Sequence, residues 1–210
     1  MESPNTNRPP NFFDSVYKEG HAPWDVGKAQ PAMIALLEKC ALIGPALDVG
    51  CGAGDLAVEI ANRGCSVLGI DSAEHAIEKA NAKLASLKPE VRTLIEFRLA
   101  DGLNISQLNK QFGAITDSGF YHIFGRTDRD HFIGEIFKSL KTGGRYYLLG
   151  FAMDAPMPQA PKQVTRKELE EKFSPAAGWK ILEISSAEFI TNSPRGNIPA
   201  TAACIEKTSS

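Results

Sequence analysis

From Ala46 onward, short apolar runs alternate with stretches whose apolar residues recur every three to four positions, the first pattern reading as buried strands and the second as amphipathic helices. The runs predict strands at Ala46–Val49, Ser66–Ile70, Leu94–Arg98, Gly113–Asp117 and Arg145–Ala152. The periodic stretches predict helices at Asp55–Arg63, Ala73–Leu87 and Arg126–Leu140. Strand followed by helix, repeated, is the pattern of an α/β doubly wound, mostly parallel sheet. Upstream, Pro31 stands in the first turn of a further helix, "PAMIALLEKCAL", where a missing N–H costs nothing.

Downstream, Lys141–Gly144 ("KTGG") reads as a turn and Ala155–Gln163 as a Pro-rich loop before a helix near Thr165–Phe173, with Thr165 and Glu168 spaced as a capping box. Trp179–Asn192 and Pro199–Lys207 read as two strands forming an antiparallel C-terminal hairpin at one sheet edge. At the other terminus, residues 1–10 are polar and Pro-rich and are expected to be a flexible tail. Residues 11–30 carry four aromatics without helix or strand periodicity throughout, and form a candidate lid arm. The polar face Asp128, Arg129, Asp130 and Glu135 reads as solvated helix surface.

Composition narrows the function. With 210 residues, 43% hydrophobic and 23% charged, the chain fits one ordinary folded domain. A formal charge of −2 lacks the basic excess that a phosphate backbone attracts, so no nucleic-acid partner is expected. No apolar run is long enough to span a bilayer and the start lacks a signal-peptide pattern, so a cytoplasmic protein without a membrane partner is expected. The four cysteines show no metal or disulfide spacing, and His21, His75 and His131 share no ligand spacing, so no metal is implied.

The chemistry gathers in "ALDVGCGAGD", residues 46–55. A glycine turn between strand and helix lets backbone N–H groups approach a ligand that a Cβ would block, and Gly50, Gly52 and Gly54 sit at that turn. Asp71 ends the next strand, where a carboxylate either accepts from both ribose hydroxyls of a nucleoside or, with Ser72, caps the following helix. A dinucleotide fingerprint needs glycine at position 55, which is Asp55 here, so a nicotinamide-dependent oxidoreductase fits poorly. Asp48, leading the turn, can instead reach an ammonium group directly or through water.

"LDVGCGAG", "VLGID", "LADG" and "LKTGGRYYLLGF" together resemble the successive motifs of class I S-adenosylmethionine-dependent methyltransferases, from Trp24 to Glu206. The resemblance implies a Rossmann-like seven-stranded sheet, residues 11–210 as a single methyltransferase domain, and S-adenosyl-L-methionine as cofactor with S-adenosyl-L-homocysteine as product. It implies ribose contacts from Asp71, an adenine site beside Asp101, Gly102 and Leu103, and cofactor contacts from Ser72, Asp117 and Ser118. "VYKEGHAPWDVGKAQPAM" and "ITDSGFYHIF" are similar to small-molecule methyltransferases of the thiopurine, halide/thiol and heterocyclic-toxin types, which implies that Trp24 packs near the cofactor's methionine end with Tyr17 on the same side.

The expected activity is methyl transfer to O, S or N of a small aromatic, heterocyclic or thiol acceptor, in detoxification or natural-product tailoring, by a monomer or homodimer. The alternative is a non-catalytic S-adenosylmethionine-binding regulator. For a hydroxyl acceptor, His122 is the candidate general base, or else a structural histidine under the lid, and Tyr121 is a second candidate. Phe151, Met153 and Met157 offer adaptable apolar contacts to a flat acceptor.

Overall fold

The computed structural model describes residues 12–154 and 162–209, so the expected tail, Asn11 and the Met157 part of the Pro-rich loop lie outside the described residues. Seven strands form one sheet: β1 (Ala46–Val49), β2 (Val67–Asp71), β3 (Ile95–Leu99), β4 (Phe112–Ser118), β5 (Leu140–Phe151), β6 (Trp179–Phe189) and β7 (Ile198–Lys207). Their order is β3-β2-β1-β4-β5-β7-β6. The first five are parallel, while β7 runs antiparallel between β5 and β6. The hairpin therefore sits at one edge, and its second strand is the one that joins the sheet.

The strands are apolar runs because helices cover both faces. Helices α2 (Pro31–Lys39) and α3 (Asp55–Asn62) bury Met33, Leu36, Leu37, Ala57 and Ile60 on one face, against Ala46, Ala114, Tyr147 and Leu149. Helices α4 (Glu74–Leu84) and α5 (Pro89–Arg92) follow β2. On the other face, α6 (Arg126–Ser139) and α7 (Arg166–Lys172) cover Leu47, Val49, Ile115 and Leu148 with Phe132, Ile136 and Leu169. The division matters for the site, since alternate residues of one strand face different cores.

Four expectations change. Residues 12–18 of the arm are helical, forming α1 (Phe12–Lys18), because the arm's order comes from docking on α4 rather than from periodicity of its own. Lys141–Gly144 is not a turn ahead of the strand: Phe112 pairs with Leu140 and Ala114 already with Arg145, so these residues bulge out within β5, with Gly143 at φ 78°. The capping box is half formed. Thr165 Oγ1 accepts from the Glu168 N–H at 3.1 Å, but the Glu168 carboxylate turns to Arg129. Arg129 and Glu135 are likewise not solvated: both are buried, Arg129 on Glu168 and Glu135 accepting from the Ser106 N–H at 2.9 Å.

Candidate functional site

The turn after β1 sets the site. Gly50, Gly52 and Gly54 have φ of 64°, 53° and 81°, left-handed values that favour glycine at each position. The turn is moored to the end of β2, where Cys51 N–H donates to Ile70 O and Gly52 N–H to Asp71 Oδ2, both at 2.9 Å. Asp71 Oδ1 accepts from Ala73 N–H at 2.9 Å and so shapes the entry to α4. One carboxylate thus fixes both turns, and each oxygen keeps a second lone pair. Burial raises its pKa, against the opposing pull of the Ala73 and Gly52 N–H groups. Ser72 beside it is exposed.

Asp48 is the most constrained carboxylate. It lies on β1 between Gly69 and Thr116, and Oδ1 accepts from Thr116 Oγ1 at 2.8 Å. Oδ2 is buried without a hydrogen-bond partner. Burial pushes its carboxyl up to about 7; the Thr116 hydroxyl and, more weakly, the Ala57 N–H, which approaches without completing a hydrogen bond, pull the other way. An orphaned buried oxygen at the floor of a glycine turn is a seat for a cation or a donor.

Across the sheet the two sides separate by strand parity. Thr116 shares a face with Asp48, whereas Asp117 points to the other core. There its oxygens accept from Phe120 N–H (2.7 Å), Tyr121 N–H (2.9 Å) and Tyr146 Oη (2.7 Å). Burial raises this carboxyl to about 6, and those hydrogen bonds hold it inside the fold. The structure therefore does not bring the Asp117 side chain to the glycine turn. Ser118 stays half-buried at the strand's end.

Tyr121 also turns to the far core. Its hydroxyl donates to Glu168 Oε1 at 3.0 Å, and Arg129 lies 4.5 Å from the ring centroid. Burial, reinforced by Glu168, raises its pKa, so the phenol stays protonated and has no phenolate lone pair to take a substrate proton at neutral pH. His122 faces the opposite way, buried against Phe151 and Phe189 with ring centroids 4.2 and 6.2 Å away. Its Nδ1 accepts from Phe151 N–H at 3.1 Å, which assigns the neutral Nε2–H tautomer by hydrogen-bond logic.

Asp101 caps the turn after β3, accepting from Leu103 N–H (2.9 Å) and Asn104 Nδ2 (2.6 Å). Gly102 is buried where a Cβ would strike Phe120 and Val49. Phe120 also blocks a Cβ on Gly50, with its Cδ2 at 2.6 Å, so its ring joins the glycine turn to the residue 101–103 corner. A linear motif puts Phe120 at the carboxyl end of β4 but shows neither its bridge from Gly50 to Gly102 nor the Thr116 bond to Asp48, because both act through strand neighbours that such a motif does not name.

The arm closes the site. Trp24 Nε1–H donates to Tyr17 Oη at 3.0 Å, and that hydroxyl fills the place a Cβ on Gly52 would take. The arm is tied to α4 by Asp14 with His75 (2.9 Å) and Asp25 with Lys79 (2.6 Å). On the other side Gln30 grips both backbone groups of Ile190 (2.9 and 2.8 Å), and Asn192 donates to the Pro23 and Asp25 carbonyls, each at 2.8 Å. A groove of about 360 Å³ opens between the arm, Lys79 and Asn192–Pro194. A larger cleft, about 500 Å³, lies between α6 and α7 around Arg126, Arg129 and Glu168, away from the glycine turn and its carboxylates. Among the described residues no group of three His, Cys, Asp or Glu is arranged to hold a metal, and no helix is long and apolar enough to cross a membrane.

Comparison with known proteins shows the family and the fold. The family described as a methyltransferase domain matches residues 46–144. A 2-heptyl-1-hydroxyquinolin-4(1H)-one methyltransferase of Mycobacteroides abscessus is 30% identical over 191 residues, covering 87% of this chain and 82% of its own length. A probable thiol methyltransferase 2 of Arabidopsis thaliana is 29% identical over 185 residues, covering 88% of this chain and 80% of its own. Among solved structures, a Burkholderia thailandensis 1,6-didemethyltoxoflavin-N1-methyltransferase, with 1,6-didemethyltoxoflavin and S-adenosylhomocysteine bound, shares the fold. Its TM-score is 0.74 at 21% identity, over 100% of this chain and 92% of that one.

Proposed function

The chain belongs to the S-adenosylmethionine-dependent methyltransferases, and on that premise we propose that it methylates O, S or N of a small, flat heteroaromatic or thiol acceptor, in detoxification or natural-product tailoring. Its cofactor is S-adenosyl-L-methionine and the spent product S-adenosyl-L-homocysteine. Membership in this family sets aside the nicotinamide reading. We take residues 11–210 as one catalytic domain with 11–30 as its arm, cytoplasmic, monomeric or homodimeric, and without a nucleic-acid partner.

The observation that carries the reading is the pair Asp48 and Asp71 on either side of the glycine turn. The unpartnered Asp48 Oδ2 suits the amino group of a methionine tail, directly or through water, and the outer lone pairs of Asp71 suit a ribose diol. Backbone groups of Gly50, Gly52 and Gly54 line the tail, Ser72 flanks the sugar, and Asp101, Gly102 and Leu103 with the Phe120 ring border the base. Trp24 and Tyr17 cover the methionine end. The Ser118 backbone lines the reacting end, while the Asp117 side chain acts from below by fixing the turn that carries Phe120 and Tyr121.

The cofactor supplies an electrophilic sulfonium methyl, and transfer is an in-line displacement. This chain therefore has to hold the acceptor lone pair in line and keep water out, a role that accounts for up to ~7–11 kcal/mol in favourable cases. The half-buried Phe151, against Phe189 at 5.3 Å, offers an aromatic wall for a flat acceptor. Tyr121 is committed to Glu168 and His122 Nδ1 to a backbone N–H, so the acceptors that fit are those acidic enough to shed their proton without a protein base, such as N-hydroxy groups, electron-poor phenols and aromatic thiols.

Calorimetry with S-adenosylmethionine and S-adenosylhomocysteine, followed by mass detection of products from N-hydroxyquinolones, phenols, thiols and halides, tests the proposal. Tight cofactor binding with methylated product from at least one acidic acceptor is expected. Tight binding with no product from any of them would favour the regulator instead.

A further inference from the structure

We infer that His122 is a positioning residue for the acceptor side rather than the base, holding the end of β5 to the backbone segment at residues 162–164 that leads into α7, beside the acceptor wall; the inference rests on the proposed methyl transfer. The ring's Nδ1 accepts from Phe151 N–H at 3.1 Å, and the His122 carbonyl accepts from Lys162 N–H at 2.7 Å. One residue thus grips the last position of β5 with its side chain and the returning chain with its backbone. The same exit is closed by Val164 N–H on Phe151 O at 2.6 Å, and by Gln163 N–H on Asp154 Oδ1 at 2.9 Å. Arg129 braces it from behind, donating to the carbonyls of Lys162 (2.9 Å) and Gln163 (3.1 Å).

A base must present an acceptor lone pair to the substrate. In this ring the lone-pair nitrogen is aimed at the Phe151 backbone. To take a proton there, the ring would place N–H against N–H and release the residue whose aromatic face lies 4.2 Å away. The ring is 5% exposed, so its packing on Phe151 and Phe189 transmits that hold to the wall itself.

His122→Asn keeps an acceptor at the Nδ1 position without an imidazole, whereas His122→Ala removes it. For His122→Ala the acceptor KM should rise about tenfold while the cofactor Kd changes less than about twofold, since one buried hydrogen bond and its packing are lost. His122→Asn should recover most of that KM and leave the pH profile of kcat/KM in place. Amide hydrogen exchange at Phe151 and Lys162, measured without any acceptor, should be slow in the wild type and in His122→Asn. Loss of turnover in His122→Asn together with loss of the acid limb of the profile would overturn the inference in favour of a base. Fast Phe151 exchange in the wild type would overturn it directly, whether or not His122→Ala folds. A wild-type enzyme that shows this protection but methylates no acceptor would count against the proposed function instead, and so against any acceptor role for the hold.

Discussion

The two ends of the site are built differently. At the proposed cofactor end, the contact that moors the glycine turn, Gly52 N–H on Asp71, joins residues 19 apart, one strand–turn–helix unit. On the proposed acceptor side, where the arm meets the hairpin, Gln30 reaches Ile190 across 160 residues and Asn192 reaches Asp25 across 167. The first draws only on two neighbouring strands and the turn between them. The second exists only after the sheet has closed, which leaves its side chains free to be recruited from unrelated segments. A fixed donor end and an adjustable acceptor end are what a fold needs if one cofactor is to serve many acceptors.

If that division is real, damage to one end should leave the other intact. The largest effect is expected from Asp71→Ala. It removes the mooring of the glycine turn together with the proposed ribose acceptor, and should weaken S-adenosylmethionine binding by about a hundredfold or more in calorimetry, two lost charge-assisted contacts being worth about 1.5–3 kcal/mol each. The dissociation constant of any acceptor that binds without cofactor should hardly move. A drop of only a few-fold would break the comparison at its stronger end.

Asp48→Asn comes next and carries a pH signature. The folded carboxyl sits near 7, above the ordinary carboxylate value, so ionising it costs stability. That cost is absent below the unfolded pKa, near ~4, grows as pH rises, and is complete above about 7. Asn has no such cost. The variant should melt higher than the wild type at pH 8, with the difference shrinking as pH falls towards 5, while binding cofactor about tenfold more weakly at pH 8. In the wild type, binding an ammonium beside Asp48 should expel its proton, so affinity should fall as pH drops below 7, by up to about tenfold per unit. Calorimetry in two buffers of different ionisation enthalpy reads the released proton directly.

This asymmetry also governs what the sequence discloses. "ALDVGCGAGD" and the aspartate ending "VLGID" can be read in line because strand, glycine and acid follow one another at the spacing they keep in space. The strand alternation is equally plain, since parallel strands buried on both faces read as near-continuous apolar runs. Asp117 shows the limit of reading in line, for a reason of parity: it closes a strand as Asp71 does, yet β4 turns Thr116 to the Asp48 face and sends Asp117 to the Tyr146 side. Arg129 and Glu135 misled because a charged helix face reads as solvated until a second element, here Glu168 and the residue 102–108 turn, is folded onto it. His122 was visible as a residue but not as a hydrogen bond, because its partner is a backbone N–H on another strand.

Gln30 ties the whole arm to the hairpin, so loosening it should affect both ends, and more gently. Gln30→Leu removes the double grip on Ile190, and the Michaelis constants for cofactor and acceptor should rise together, about three- to tenfold, with kcat nearly unchanged. A rise confined to one substrate would assign the arm to a single end.

The smallest effect separates contact from shape. Tyr17→Phe keeps the ring edge-on to Trp24, 6.2 Å between centroids, and deletes the hydroxyl that receives the indole N–H and rests on Gly52. Burial, with the nearby Asp71 and Asp25 charges adding to it, raises the phenol's pKa, so it stays a neutral donor throughout the working range. With Trp24 occupying one of its lone pairs, the hydroxyl beside Gly52 retains its own proton for donation. Removing it should weaken S-adenosylmethionine by about three- to tenfold, the worth of one neutral hydrogen bond, and leave the acceptor KM alone. Trp24→Phe removes the donor but leaves the phenol in place, and should cost less than Tyr17→Phe. The reverse order would mean that the arm covers the cofactor through the indole's bulk, with the phenol serving only to orient it.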